Sequence, residues 1–427
     1  LSDALTGTFR GGASFIASDG TAYLLAGTST NLQSLSANTW SNLLTGLTVT
    51  GRWRFEQFGD FVVAVNGGAT QEVDLIAGTA SALSGAPTGT SIAVVGDFVV
   101  IGQAGGDQLK VQWSAFNDHT AWTPAVDQSG FQPMLTGGEV KGIVGGEYGV
   151  ILQRSRLVRM TRTGDAAAPF QFDEITNNYG CASAASIAAS GRTIFFLSDR
   201  GFMALEDGQA IRPIGNEKVD RTFRLNVVRD DYERMFAAVD PENTLVYWGI
   251  PGTPGTIWIY NWQLDAWSTA RLSLDGLFSG FSASVNSDST GISDIDGSTF
   301  SVDDPRFSGG APRFYCVQSG KAGALAGTPL QTTFQLGFTQ YAAGRTTRLT
   351  AVRPIGDVVS GMTLTADARQ RLGDDERLFT TSTLNNSGRM PLRCNGRYIK
   401  LKLAINAGVT WSYIQGFEIE FQPGGER

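Results

Sequence analysis

Histidine is almost missing from this chain of 427 residues: His119 is the only one. A serine hydrolase needs a base within reach of its nucleophile, and that base is usually His. His119 stands in Trp113-Ser-Ala-Phe-Asn-Asp-His-Thr-Ala-Trp122, a polar loop between aromatic anchors with no Gly-x-Ser-x-Gly elbow. It reads as a structural or solvated loop residue, and no enzyme is expected. Cysteine is scarce too. Cys181, Cys316 and Cys394 are too few, and odd in number, for a disulfide framework. They read as buried or partly buried free thiols of a protein made in a reducing cytosol. One His and three scattered Cys also exclude an ordinary zinc site, so no metal or cofactor is expected. No stretch approaches the ~20 apolar residues of a membrane-spanning helix, which argues against a membrane anchor. Charged residues are only 17 %, leaving a surface rich in Ser, Thr, Asn, Gln and Gly. Helical periodicity is nearly absent. Ala182-Ser-Ala-Ala-Ser-Ile-Ala-Ala-Ser190 comes nearest to it and reads instead as the lead-in to a strand.

What the chain does have is a repeated theme, an apolar β-run entered through a small polar turn. The copies are Phe58-Gly-Asp-Phe-Val-Val-Ala-Val65, Val95-Gly-Asp-Phe-Val-Val-Ile-Gly102, Gly146-Glu-Tyr-Gly-Val-Ile-Leu152, Ser190-Gly-Arg-Thr-Ile-Phe-Phe-Leu197 and Glu242-Asn-Thr-Leu-Val-Tyr-Trp248. Their turn residues Asp60, Asp97, Glu147, Arg192 and Asn243 lie 37, 50, 45 and 51 apart, and Ser18-Asp-Gly-Thr-Ala-Tyr-Leu-Leu25 is a sixth copy upstream. A period near 45 residues with several short strands per period is the signature of β-propeller blades. The expected fold is all-β: a β-propeller of about six blades over 1–325, followed by a C-terminal antiparallel β-sandwich over 328–427. The blades are expected at 8–50, 51–87, 88–137, 138–179, 180–229 and 230–272, with 273–325 finishing or sealing the ring. Residues 273–312 are rich in Ser, Gly and Asp and read either as a projecting loop or as irregular strands. From about Thr328 alternation becomes clear, as in Leu401-Lys-Leu-Ala-Ile405. Charge divides unevenly as well: 12 basic against 8 acidic residues from 328 on, and 21 against 32 before it.

Chemistry-bearing constellations are weak. Glycosidases work with paired carboxylates, and Asp173/Glu174, Asp230/Asp231 and Asp374/Asp375/Glu376 are adjacent pairs or runs. Neighbours on a strand point to opposite faces, however. Ser18-Asp-Gly-Thr21 lacks the spacing and Trp of a sialidase Asp-box. Asp294-Ile-Asp-Gly-Ser298 lacks the third ligand position and distal Glu of a calcium loop. The one basic cluster is Gln153-Arg-Ser-Arg-Leu-Val-Arg-Met-Thr-Arg162. Alternation puts Arg154 and Arg156 on one side of a strand and Arg159 on the other. These three read as a solvated blade surface or as the interface with an acidic neighbouring subunit. A single such strand is too little for a nucleic-acid groove.

Several strings occur in an order that resembles a known family. They include Arg54-Phe-Glu-Gln-Phe-Gly-Asp60, Val111-Gln-Trp-Ser-Ala-Phe-Asn-Asp118, Phe170-Gln-Phe-Asp-Glu174 and Tyr179-Gly-Cys-Ala182. Phe196-Leu-Ser-Asp-Arg-Gly-Phe202, Lys218-Val-Asp-Arg-Thr-Phe223 and Ile259-Tyr-Asn-Trp-Gln-Leu-Asp-Ala-Trp-Ser268 follow. The chain is similar in these to the tail-hub or tail-nozzle β-propeller proteins of short-tailed phages, including packaged-DNA-stabilisation proteins. The resemblance implies a non-enzymatic structural protein of the virion tail, made in the host cytoplasm. It implies a homo-oligomer, a hexameric ring, meeting the portal, the adaptor ring and other tail proteins. Packaged DNA would pass through the lumen without tight binding. Family members carry further residues before the first blade, so an upstream strand would close the ring. An acidic conduit would let phosphate slide, which makes Asp294, Asp296, Asp303 and Asp304 the expected lining. The competing reading is a carbohydrate-binding or glycosidase-type β-propeller.

Overall fold

The computed structural model describes residues 2–36, 38–240, 242–282, 312–325 and 328–425. The chain divides into two compact units, Leu1–Leu325 and Ala326–Arg427. Each is built almost wholly from antiparallel sheets.

Among its described residues the first unit contains seven consecutive sheets, six of four strands and a last one of three, each with its strands in sequence order. Their first strands are Phe9–Ile16, Arg54–Phe58, Ser91–Val95, Val140–Val144, Ala188–Ser190, Phe236–Asp240 and Gly276–Phe281. Residues from all seven (Gly12, Arg54, Ile92, Ile143, Ala188, Ala237 and Ser279 among them) line cavities that run through the middle. The arrangement is therefore a propeller-like ring with the first strand of each sheet innermost. Gly276–Phe281, Pro312–Gln318 and Lys321–Ala324, in the region expected to finish or seal the ring, form the seventh sheet.

Why the β-runs are continuous rather than alternating follows from this geometry. A sheet inside the ring has a neighbour on each side, so both of its faces are buried. Phe98, Val99, Val100 and Ile101 are all fully buried. Phe98 and Val100 pack with Ile151 and Met160 of the fourth sheet. Val99 and Ile101 turn the other way, onto Val63 and Val65 of the second. The repeated turns are two-residue hairpins closed by the pairs Phe58↔Phe61, Val95↔Phe98 and Ser190↔Thr193. In each, only the first residue has positive φ: Gly59 (61°), Gly96 (57°) and Gly191 (56°). That is the type II′ pattern, which suits strand twist and favours glycine there.

Residues 2–5 pair with the seventh sheet. Ser2 N–H donates to Ala322 O (2.8 Å), and Leu5 N–H donates to Gly320 O (2.8 Å). Ala4 bridges Lys321 in antiparallel register. Residues 2–5 thus edge the last strand of the seventh sheet, Lys321–Ala324. Ser2 Oγ accepts from both Ala322 N (2.9 Å) and Trp40 Nε1 (2.9 Å), tying the seventh sheet to the first.

One element had no forewarning in the sequence. Residues 214–235, between the fifth and sixth sheets, hold the helix Asp220–Asn226 and a 3-10 turn Arg229–Arg234. Asp220 accepts from Phe202 N–H (3.1 Å), and its carboxylate fills space that a Cβ on Gly201 or Gly215 would need. Either glycine changed to Ala should therefore destabilise the unit, by ~1–3 kcal/mol in a urea titration, because Asp220 would have to leave its donor.

The second unit is a four-stranded sheet and a three-stranded sheet. They share one apolar core that includes Leu349, Leu364, Met390, Leu401 and Leu403. The strand Met390–Gly396 alternates strictly between buried and exposed residues and sits at an edge of the three-stranded sheet. An edge position tolerates Pro391, which lacks an amide to donate.

Candidate functional site at the channel mouth

The basic cluster singled out in the sequence finds partners within the first unit. Arg154 and Arg156 lie in a hairpin turn, because the strand begins only at Leu157. Arg154 Nη1 pairs with Asp199 (2.8 Å), and Arg156 donates to Gln153 Oε1 (2.9 Å) and meets Glu174 at 3.5 Å. Arg159 lies over the Tyr148 ring at 4.6 Å, and Arg162 pairs with Asp97 (3.1 Å). Such partly exposed pairs contribute little stability each, but two of them, Arg154–Asp199 and Arg162–Asp97, link one sheet to the next. His119 is buried between Phe58 and Phe61, and its Nε2 is held by the Glu72 carboxylate. This is a structural tie between the second sheet and a loop of the third.

The paired carboxylates are likewise engaged locally. Asp231 pairs with Arg234 (2.9 Å), and Glu376 with Arg369 (2.6 Å) and Lys400 (2.8 Å). Asp294, Asp296, Asp303 and Asp304 lie outside the described residues, in the connection between the paired ends Phe281 and Pro312. Among the described residues no three His, Cys, Asp or Glu side chains come together as a metal site would require. None of the described helices is long and apolar enough to cross a membrane. The three thiols are free and buried, and burial pushes Cys181 and Cys394 up to about 12.

The charged feature the sequence did not disclose is the central channel itself. At the end where the inner strands begin, a cavity of about 680 Å³ is lined by Arg10, Arg52, Arg54, Lys141, Glu233 and Phe236, among others. These side chains come from the first, second, fourth and sixth sheets and the turn before the sixth. Arg52 donates through Nε and Nη2 to Glu233 O (3.2 and 3.1 Å), and its guanidinium lies 3.8 Å over the Phe236 ring. Arg54 Nη2 donates to Ala184 O (2.7 Å), and Arg10 Nη1 to Gly51 O (3.4 Å). Lys141 is bound by Glu139 (2.8 Å) and Glu233 (3.2 Å). Burial works against the charge on Lys141, but these carboxylates outweigh it and raise its pKa. Burial, followed by the like charge of Arg54, pulls Arg52 down to about 9, still charged at neutral pH. The channel mouth is basic, not acidic.

Farther in, Glu56 lines the channel together with Arg54, Ser91, Ile92, Lys141 and Ile187, among others. Burial raises its pKa from 4.5 to about 7. Its protonated form is therefore favoured by folding. The stability this confers is complete below about pH 4.5 and is lost as pH rises through 7. Glu56→Gln should match the parent at pH 4 and exceed it at pH 8, by on the order of 2 kcal/mol once partial exposure is allowed for. Urea titrations at the two pH values measure the difference.

No protein-family model matches the chain, and no curated protein does. Among solved structures it is similar to the extracellular domain of a one-component system of B. thetaiotaomicron. The identity is 10 % and the TM-score 0.45, over 83 % of this chain and 42 % of that one. The extracellular domain of a hybrid two-component system of the same organism matches with 10 % identity and a TM-score of 0.45, over 84 % and 43 %. The chain spans less than half the length of either structure.

Proposed function

We propose that this protein is a structural subunit of a short-tailed phage tail, a hub or nozzle built on a seven-bladed propeller and a C-terminal β-sandwich. The observation that carries the reading is self-closure. One chain seals its own ring through residues 2–5, giving a stiff disc of the kind that a stacked conduit needs. The family-like strings support it, since they fall on the framework of that disc. Arg54–Asp60 forms the second inner strand and its turn, Phe196–Phe202 the hairpin of the fifth sheet, and Ile259–Ser268 the outer hairpin of the sixth. The subunits would assemble as a homohexamer beneath the portal and its adaptor, with DNA passing along the axis of the hexamer rather than through the channel of one propeller. Mass photometry and negative-stain images of the purified chain test this. A six-fold ring of about six times 45.5 kDa is expected. A stable monomer that retains a polysaccharide on an affinity gel would overturn it.

The second reading, a carbohydrate-binding propeller, is favoured by one groove. A cavity of about 620 Å³ is lined by Trp113, Phe131, Phe170 and Phe172 together with the 124–130 loop. Three non-glycine residues of that loop, Ala125, Asp127 and Gln128, have positive φ, and strain of this kind concentrates at functional sites. Hydrolysis is less well supported than binding. Glu56 is the one carboxylate among the described residues lining its stretch of the channel, and glycoside hydrolysis takes two.

A further inference from the structure

We propose that the channel mouth of the first unit is a binding site for a small multivalent oxyanion, a phosphate- or carboxylate-bearing ligand held by Arg10, Arg52 and Arg54. The reading stands whether or not the protein belongs to a tail.

The charge balance of the cavity is the starting point. Five cations line it, Arg10, Arg52, Arg54, Lys141 and Arg234, against the two carboxylates Glu233 and Asp275. Lys141 is bound by Glu139 and Glu233, and Arg234 by Asp231. Asp275 turns to the amide of Gly320 (2.9 Å). Three guanidiniums remain whose protein partners are neutral carbonyl oxygens: Gly51 O, Glu233 O and Ala184 O. Each of those contacts uses one or two of the five N–H donors that a guanidinium carries. The rest are free for an oxyanion.

Three like charges in one cavity repel one another, at a cost to the folded state that the carbonyl bonds offset in part. Arg52 and Arg54 are two residues apart and line the cavity together. Arg10 reaches them because the first and second sheets approach very closely there. A Cβ at Gly11 would fall 2.5 Å from Trp53 O. An oxyanion between the guanidiniums converts this repulsion into charge-assisted, fork-like hydrogen bonds. The Phe236 face under Arg52 fixes that guanidinium plane in advance, so less side-chain freedom is lost on binding. The cavity volume suits a small molecule and is far too small for a nucleic-acid duplex.

Calorimetric titration of the full chain with inorganic pyrophosphate, and separately with citrate, tests the site in low-salt buffer free of phosphate and sulfate. Binding of either at one per chain is expected, and the preferred one identifies a phosphate or a carboxylate ligand. Replacing charged hydrogen bonds in the double variant Arg52→Gln/Arg54→Gln should weaken that binding by roughly tenfold to a hundredfold. With less mutual repulsion, the unliganded variant should melt no lower than the parent, an outcome that a purely structural role would reverse. Should the double variant fail to fold, Arg10→Gln serves instead, because among the described residues the side-chain hydrogen bond of Arg10 is the long one to Gly51 O. It should weaken binding by about threefold or more. No binding of either anion, binding unchanged in the folded variants, or tighter variant-sensitive binding of a short DNA duplex would overturn the proposal.

Discussion

Trp248→Ala is expected to remove ~3–5 kcal/mol from the first unit, the range for a large buried aromatic truncated in a core. Trp248 is fully buried, with Phe202 at 4.7 Å and Trp267 at 5.5 Å between ring centroids. Phe223, Trp258 and Tyr260 complete the same cluster between the fifth and sixth sheets. Its Nε1–H donates to Ser186 O at 2.9 Å, so Ala also orphans a buried carbonyl. Ser186 ends the 3-10 turn Ala184–Ser186, whose first carbonyl receives Arg54. Loss of the indole should therefore loosen the channel mouth as well as the core. Trp248→Phe, which keeps the ring but not the donor, should cost less, ~1–3 kcal/mol. Urea titrations of both variants give the comparison. An Ala variant of parental stability that lost retention on polysaccharide would make Trp248 a ligand platform instead of a packing anchor.

The second large effect is expected from deleting residues 1–5. The deletion removes the Ser2 and Leu5 amide bonds to the seventh sheet, and it strips Trp40 Nε1 and the Ala322 amide of the Ser2 hydroxyl. It also removes Leu5, which is buried with Phe9, Phe236 and Leu277. At ~1 kcal/mol per hydrogen bond and ~2 kcal/mol for the side chain, the loss is on the order of 5 kcal/mol. That is a large share of what keeps an ordinary domain folded. Ser2→Ala alone should cost ~1–3 kcal/mol, since two donors lose one acceptor. Thermal melting checks both, and amide exchange at Ala322 should accelerate in each. Parental melting of the deletion would mean that the seam holds without its strand.

The repeat was legible because burial on both faces writes long apolar runs, and because Gly59, Gly96 and Gly191 mark the same tight turn. The seventh sheet was not, since its first hairpin is interrupted after Phe281 and the two halves stand far apart in sequence. The helix at Asp220–Asn226 is only 7 residues long and spans too little sequence for a helical period to appear. In the second unit, Met390–Gly396 was hidden by Pro391 although its alternation is strict. The channel mouth was illegible for a different reason. Arg10, Arg52, Arg54 and Lys141 sit up to 131 positions apart in the numbering, and only the circular order of the sheets brings them together. Glu56 looked like one more strand residue, because its raised pKa comes from burial alone.

The clasp between the beginning of the first unit and its end also sets an order of events during synthesis. Ser2 and Ala322 are separated by 320 positions, so no stitch of that seam can form until nearly the whole unit has left the ribosome. Loop closure over such a span is slow. Until it happens, the first sheet waits with an open flank of Phe9, Leu24 and Ala26, residues that end up covered by Leu277 and Phe278. The nascent protein is therefore most vulnerable to pairing with another chain just before completion.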